Sequence, residues 1–288
     1  MPTLPVLTDS FAALAPGYDA VLSDVWGVIH NGITAFPEAS EALARFRAKG
    51  GTVVLISNAP RPGVQVEHML DHLGVPRSAY DGIATSGDVT RAVVAKRAGE
   101  PVLLIGPERD HSIFTGLDAP FCELDEARYV VCSGLYDDES ETPDDYDELL
   151  AKLRARNLFM VCANPDVVVE RGDRLVYCAG AIADRYAALG GDVYYAGKPH
   201  RPLYDLALDK IARVRGAAPA LDRVLAIGDS VRTDLKGATD LGVDCLFVTA
   251  GIHAEELGHR DAPDTKALAA IFAEAGQMPK AVMRKLVW

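Results

Sequence analysis

A chain of 288 residues, 49% hydrophobic and 24% charged, has the balance of a soluble globular protein, which argues against the disordered and membrane classes. Its formal charge of -12 and the lack of any Lys/Arg run exclude nucleic acid as a partner. No apolar run approaches the roughly 20 residues that span a bilayer, so a membrane partner is excluded as well.

Cys122, Cys132, Cys162, Cys178 and Cys245 are odd in number and form no C-x-x-C pair, which argues against a disulfide framework or a structural zinc site and for a reducing compartment. The stretch MPTLPVLTDSFAALAPGYDA lacks the basic start and apolar core of a signal peptide. A cytoplasmic location is expected. The length exceeds what one hydrophobic core usually fills, so two cores are expected.

In chain order, Ala20 to Ser23 is a β-prone run that ends in Asp24. Pro37 then introduces a helix with Ala39, Leu43 and Phe46 on one face, stopped by Gly50-Gly51. Thr52 to Ile56 reads as a buried strand and Val64 to Leu73 as a helix ended by Gly74. Strand-helix alternation predicts a parallel sheet. Further strands are predicted at Val102 to Ile105, Tyr129 to Cys132 and Phe159 to Cys162, with helices over Val89 to Lys96 and Asp144 to Arg156. The alternation returns with strand Val193 to Tyr195, a helix over Leu203, Leu206, Ala207 and Ile211, strand Val224 to Ile227, helix Leu235 to Leu241 and strand Cys245 to Val248. These C-terminal strands are expected to share one sheet with the first two.

The fold class is therefore α/β, a doubly wound parallel sheet of Rossmann-like type. Ser57 and Lys198 are 141 positions apart (198 minus 57), whereas one β-α-β crossover takes only about 30 residues. An inserted α/β domain is implied, giving a core over 1-84 and 189-288 and an insertion over 85-188. The acidic run Asp137 to Asp147 reads as a solvated loop and helix start.

Open parallel sheets bind ligands beyond the carboxyl ends of their strands, and four polar clusters sit at such ends. SDVWGV places Asp24 at a strand end with Gly27 allowing a tight path close to a ligand. LISNAP places Ser57 and Asn58 where a hydroxyl and an amide can donate to phosphate oxygens, although the same residues suit a turn. AGKP aims the Lys198 ammonium towards the ligand edge. GDSVRTD brackets a strand-to-helix turn with Asp229 and Asp234, a pair suited to a hard cation; Asp234 also suits a plain helix N-terminus.

In this order the clusters resemble the haloacid dehalogenase superfamily of phosphotransferases, and the GKP and GDxxxTD wording resembles its class IIA members. The resemblance covers nearly the whole chain. It implies that Asp24 attacks phosphorus to give an aspartyl-phosphate that water hydrolyses, that Ser57 and Lys198 clamp the phosphoryl group, and that Mg2+ is the cofactor. It further implies metal ligation by the carboxylates of Asp24 and Asp229 and the Trp26 backbone carbonyl, with Asp234 supporting the metal or its waters. The insertion resembles a C2-type cap. Its Asn164-Pro165-Asp166 resembles a segment of class IIA caps, so Asn164 and Asp166, with Asn58, are candidate substrate contacts; a plain turn is the other reading of Asn164 to Asp166.

The family's first motif carries a second Asp, the acid/base, where this chain has Trp26. Indole cannot transfer that proton, and losing such a group costs a factor of about 10²–10⁴ in rate. The implied function is magnesium-dependent hydrolysis of a small phosphorylated metabolite, slow or restricted to good leaving groups. The alternative is a non-catalytic or regulatory phospholigand-binding protein on the same fold. His30, just after the motif, is a candidate substitute acid/base. A nicotinamide oxidoreductase is excluded because no G-x-G-x-x-G follows the first strand, and a receiver-type phosphoacceptor is excluded by length. The protein is expected to be a monomer or homodimer, with the apolar C-terminal AVMRKLVW packed on its own core.

Overall fold

The computed structural model describes residues 6–171, 174–252 and 264–288. Its strands are β1 (Val6–Leu7), β2 (Ala20–Asp24), β3 (Thr52–Ser57), β4 (Gly82–Thr85), β5 (Val102–Ile105), β6 (Tyr129–Cys132), β7 (Phe159–Cys162), β8 (Val168–Arg171), β9 (Arg174–Tyr177), β10 (Val193–Tyr195), β11 (Val224–Gly228), β12 (Asp244–Val248) and β13 (Ala281–Met283). The helices are α1 (Pro37–Ala48), α2 (Gly63–His72), α3 (Ser86–Lys96), α4 (Asp147–Ala155), α5 (Ala179–Ala188), α6 (Arg201–Arg215), α7 (Lys236–Leu241) and α8 (Thr265–Ala275). The chain divides into two compact units, Met1–Ser57 with Glu67–Ala84 and Tyr204–Trp288, and Asn58–Val66 with Thr85–Leu203.

The first unit carries a seven-stranded sheet of order β1-β13-β12-β11-β2-β3-β4. β2 lies between β11 and β3, parallel to both, with Ser23 opposite Ile227 and Asp24 opposite Ile56. Every residue of β2, β3 and β11 is buried, as the continuous apolar sequence of a parallel strand covered on both faces requires. Pro37 starts α1, where its missing N–H costs nothing, and Ala39, Leu43 and Phe46 turn inward. Phe46 meets Phe11 with ring centroids 5.5 Å apart. The C-terminal segment packs on this same core: β13 runs parallel between β12 and β1, and Leu286 is buried.

The second unit holds a four-stranded parallel sheet of order β10-β7-β6-β5 and the antiparallel hairpin β8-β9. Its core joins Tyr146, Leu150 and Leu153 to Ile182 and Tyr186 over Val130, Cys132, Met160 and Cys162. Burying each large apolar side chain contributes roughly 1.5–3 kcal/mol. The Tyr186 hydroxyl donates to the Leu158 carbonyl at 2.6 Å, which satisfies the polar end of a fully buried ring.

One strand departs from expectation. Val193 to Tyr195 is a strand, but it pairs with β7, Val193 opposite Met160, and so belongs to the four-stranded sheet rather than to the sheet of β2. Three residues of intermediate burial carry no signal for which sheet edge they extend. All five cysteines are free thiols. Among the described residues no helix is long and apolar enough to cross a membrane.

Candidate active site

The seven-stranded sheet reverses its order at β2: the chain leaves towards β3 and β4 and returns on the other side through β11, β12 and β13. Such a reversal opens a crevice beyond the carboxyl ends of the strands that flank it. Asp24 ends β2, Ser57 ends β3, and Asp229 follows β11 directly, so parallel strand direction brings the three to one edge.

Backbone amides fix the carboxylates. The Val25 N–H donates to Asp24 Oδ1 at 2.7 Å, and the Ile252 N–H to Asp229 Oδ2 at 2.8 Å. Asp234 lies in a widened helical turn, Val231–Leu235, that leads into α7. Its Oδ2 accepts the N–H groups of Asp229 and Ser230 at 3.2 and 3.1 Å, so it holds the turn that carries Asp229. Gly27 has φ +84°, and a Cβ there would lie 2.1 Å from Asp229 Oδ2. That position needs glycine for both conformation and space.

Asp24, Asp229 and Asp234 are all buried, and one carboxylate oxygen from each lies within 4.8 Å of the others. At that distance two unit charges repel by about 3 kcal/mol at an effective dielectric of about 20. Three desolvated carboxylates on fixed backbone form a donor set for a hard, oxygen-preferring cation, and magnesium fits it.

Trp26 occupies the loop after Asp24. Its indole packs over Gly32, where a Cβ at φ +88° would lie 2.4 Å from Cη2, and stands edge-on to His30 with ring centroids 5.2 Å apart. The Gly27 N–H donates to the His30 carbonyl at 2.8 Å. Trp26 therefore staples the loop that its own backbone begins. His30 is fully buried, and its Nδ1 accepts the Gly32 N–H at 2.8 Å, which leaves the proton on Nε2. Burial lowers its pKa to about 4. An imidazole neutral down to that pH holds no extra proton to deliver near pH 7, which counts against His30 as the substitute acid.

The other candidate residues belong to the second unit. Lys198 is buried. Asn58 brackets its peptide: Oδ1 accepts the Lys198 N–H at 2.7 Å, and Nδ2 donates to the Lys198 carbonyl at 3.2 Å. Asn58 Nδ2 also donates to Asp166 Oδ1 at 2.9 Å. Both amide protons are thus engaged within the protein. Asn164 shapes the turn that presents Asp166, its Oδ1 accepting the Asp166 N–H at 3.1 Å. The structure brings Asn58, Lys198 and Asp166 into one network and puts Asn164 one turn from it. The sequence reading missed Ile252 as an amide donor to Asp229, although Thr249-Ala250-Gly251 at the end of an apolar strand was the available signal.

Residues 21–119 match a family model described as haloacid dehalogenase-like hydrolase, and residues 195–275 one described as HAD-hydrolase-like. A hydrolase of the haloacid dehalogenase-like family from Brucella suis 1330 is 47% identical, the match covering 98% of this chain and 100% of that one with a TM-score of 0.86. The chain belongs to the haloacid dehalogenase-like hydrolase family. It is similar to the ribonucleotide monophosphatase NagD of Escherichia coli K12, 23% identical over 240 residues that make up 81% of this chain and 88% of NagD. It also resembles the dihydroxyacetone phosphatase of Corynebacterium glutamicum, 32% identical over 93 residues; that match spans 32% of either chain.

Proposed function

We propose that this protein is a magnesium-dependent phosphatase of a small phosphorylated metabolite, with the first compact unit as its core and the second, which takes in 58–66 and 189–203 besides the expected 85-188, as a C2-type cap. The observation that carries the reading is the buried trio Asp24, Asp229 and Asp234 at the reversal point of the sheet. Similarity to proteins named as phosphatases supports it.

In this reading Asp24 is the nucleophile, and its carboxylate is held by the Val25 amide while the other oxygen attacks phosphorus. The new bond is Asp24 oxygen to phosphorus; the bond to the ester oxygen breaks, and water later cleaves the aspartyl-phosphate. Ser57 and Lys198 hold the phosphoryl oxygens. Asp24, Asp229, Asp234 and the Trp26 carbonyl would hold magnesium, which when bound offsets the charge between carboxylate and phosphate. Asn58 positions Lys198 through its peptide, and Asp166, with Asn164 behind it, borders the substrate. Trp26 supplies no proton, so leaving groups that depart without protonation, aryl and acyl phosphates, are favoured.

Phosphate release from an ester, aryl phosphate and acyl phosphate panel, with and without magnesium, tests this. Release is expected to vanish in Asp24→Asn, and release that persists there would sink the mechanism. Trp26, engaged with Gly32 and His30 in place of an acid/base carboxylate, favours one second reading, a phospholigand-binding protein without turnover. That reading predicts binding but no release, and gain of release in Trp26→Asp.

A further inference from the structure

Asp234 sits in a turn that holds one residue more than an α-helix allows. The Leu235 N–H donates to the Ser230 carbonyl at 3.1 Å, five positions back, and the Lys236 N–H reaches the Val231 carbonyl in the same way. Wide turns of this kind occur as single pieces within helices and gather at functional sites. If this one relaxed to α geometry, the residues on its two sides would rotate relative to each other by about 100°. Asp234 would then move off the Asp229 and Ser230 amides that its Oδ2 accepts at 3.2 and 3.1 Å. The turn needs support from outside its own backbone.

Two glycines, one before the turn and one after it, make room for that support. A Cβ on Gly228 would lie 2.1 Å from Asp234 Cγ, so the carboxylate lies directly on the end of β11. A Cβ on Gly237 would lie 2.0 Å from the Tyr204 hydroxyl oxygen and 2.5 Å from Cζ. Gly237 lies inside α7 and has no positive φ. Glycine weakens a helix interior, and the backbone does not call for it here, so this glycine serves to admit the tyrosine. Tyr204 lies on α6, shares the first unit with the turn and is 1% exposed. Its hydroxyl donates to the carbonyl of Thr233, the residue before Asp234, at 3.5 Å. So long a bond adds little energy by itself. The rigid ring, however, meets the chain both within the turn and two residues beyond its end.

We propose that Tyr204 is a positioning residue for the metal centre. Braced against Thr233 and Gly237, it keeps the turn wide and thereby holds Asp234. Asp234 in turn holds the Asp229 backbone, so the brace preserves the arrangement of carboxylates that takes a divalent cation. This rests on the magnesium reading of the trio Asp24, Asp229 and Asp234. Groups that orient metal ligands from behind change metal affinity by about 10- to 100-fold when they are removed.

The test compares Tyr204→Leu, which removes the ring, with Tyr204→Phe, which keeps it, and with Gly237→Ala, which pushes a methyl group into it. Phe46→Leu, at the Phe11 contact, is the control for a cavity elsewhere in the same unit. Calorimetry with magnesium chloride gives Kd, and amide hydrogen exchange in the metal-free protein follows Asp229 and Ser230. Tyr204→Leu and Gly237→Ala are each expected to raise Kd by about 10-fold and to speed exchange at those two amides by about 10-fold. Tyr204→Phe should recover most of both, and Phe46→Leu should leave both within about 2-fold of wild type while lowering Tm. Should Tyr204→Leu not fold, Gly237→Ala carries the same two readouts. Wild-type Kd and exchange in Gly237→Ala, or effects no larger than those of Phe46→Leu, overturn the proposal. If the wild-type protein takes up no magnesium, the magnesium reading falls and exchange alone decides: faster exchange in both variants keeps the brace, and unchanged exchange removes it.

Discussion

Asn58 grips the peptide of Lys198 at both its N–H and its carbonyl. One side chain thereby sets the backbone of the buried lysine. In Asn58→Asp the donor facing the Lys198 carbonyl and the Asp166 carboxylate becomes an acceptor, so two contacts turn repulsive. We expect a loss of about 2–4 kcal/mol and a fall in Tm of roughly 5–15 °C, read by thermal unfolding. A Tm within a degree of wild type would mean that the amide does not hold the lysine.

Gly27→Ala tests the closeness of the first motif to Asp229. The methyl group would have to occupy space 2.1 Å from Asp229 Oδ2 at a φ of +84°, so loop and carboxylate must separate. Phosphate release should fall by at least about 100-fold, with a stability loss on the order of 2 kcal/mol. Near-normal release in a folded Gly27→Ala protein would show that this contact is dispensable.

Magnesium should stabilise the protein by relieving repulsion among the three carboxylates. At about 100 times the dissociation constant, linkage gives roughly 2.7 kcal/mol, seen as a rise in Tm of roughly 5–10 °C that a chelator reverses. Asp229→Asn, which keeps the shape but removes one charge, should lose most of this rise. An equal rise in that variant would move the metal elsewhere.

His30 makes stability depend on acid. Its folded pKa of about 4 lies below the usual value near 6.5, so the unfolded chain takes up the proton first. Its contribution is complete above about pH 6.5 and drains away as pH falls towards 4, by on the order of 3 kcal/mol in all. Urea titrations across that range should show a slope that His30→Asn, which can still accept the Gly32 amide, lacks. Parallel pH profiles for the two proteins would rule this linkage out.

Strand sequence was most legible where burial was complete. Tyr129 to Cys132 and Phe159 to Cys162 were read with their observed bounds, and Thr52 to Ile56 and Val224 to Ile227 fell one residue short. These runs are apolar on both faces, a pattern that only a covered parallel strand explains. Val6–Leu7 and the hairpin β8-β9 went unread because they are exposed or half-buried, and the buried β4 and β13 went unread as well, four- and three-residue runs that include the small Gly82, Ala84 and Ala281. Asp24 and Asp229 were legible because each follows an apolar run, and Asp234 because it stands at the start of the next helix. The bracket of Asn58 on Lys198 was not, since it joins positions 140 apart through contacts that no local periodicity records.

The placement of β2 between β3 and β11 also sets a schedule for synthesis. Val224 lies 200 positions after Asp24 (224 minus 24), a delay of about 10–40 s at roughly 5–20 residues per second. For that interval the nascent sheet has an open flank at β2, while every strand of the four-stranded sheet is synthesised before Val224. The second unit can therefore finish folding first, and the centre that joins Asp24 to Asp229 is among the last features of the protein to exist.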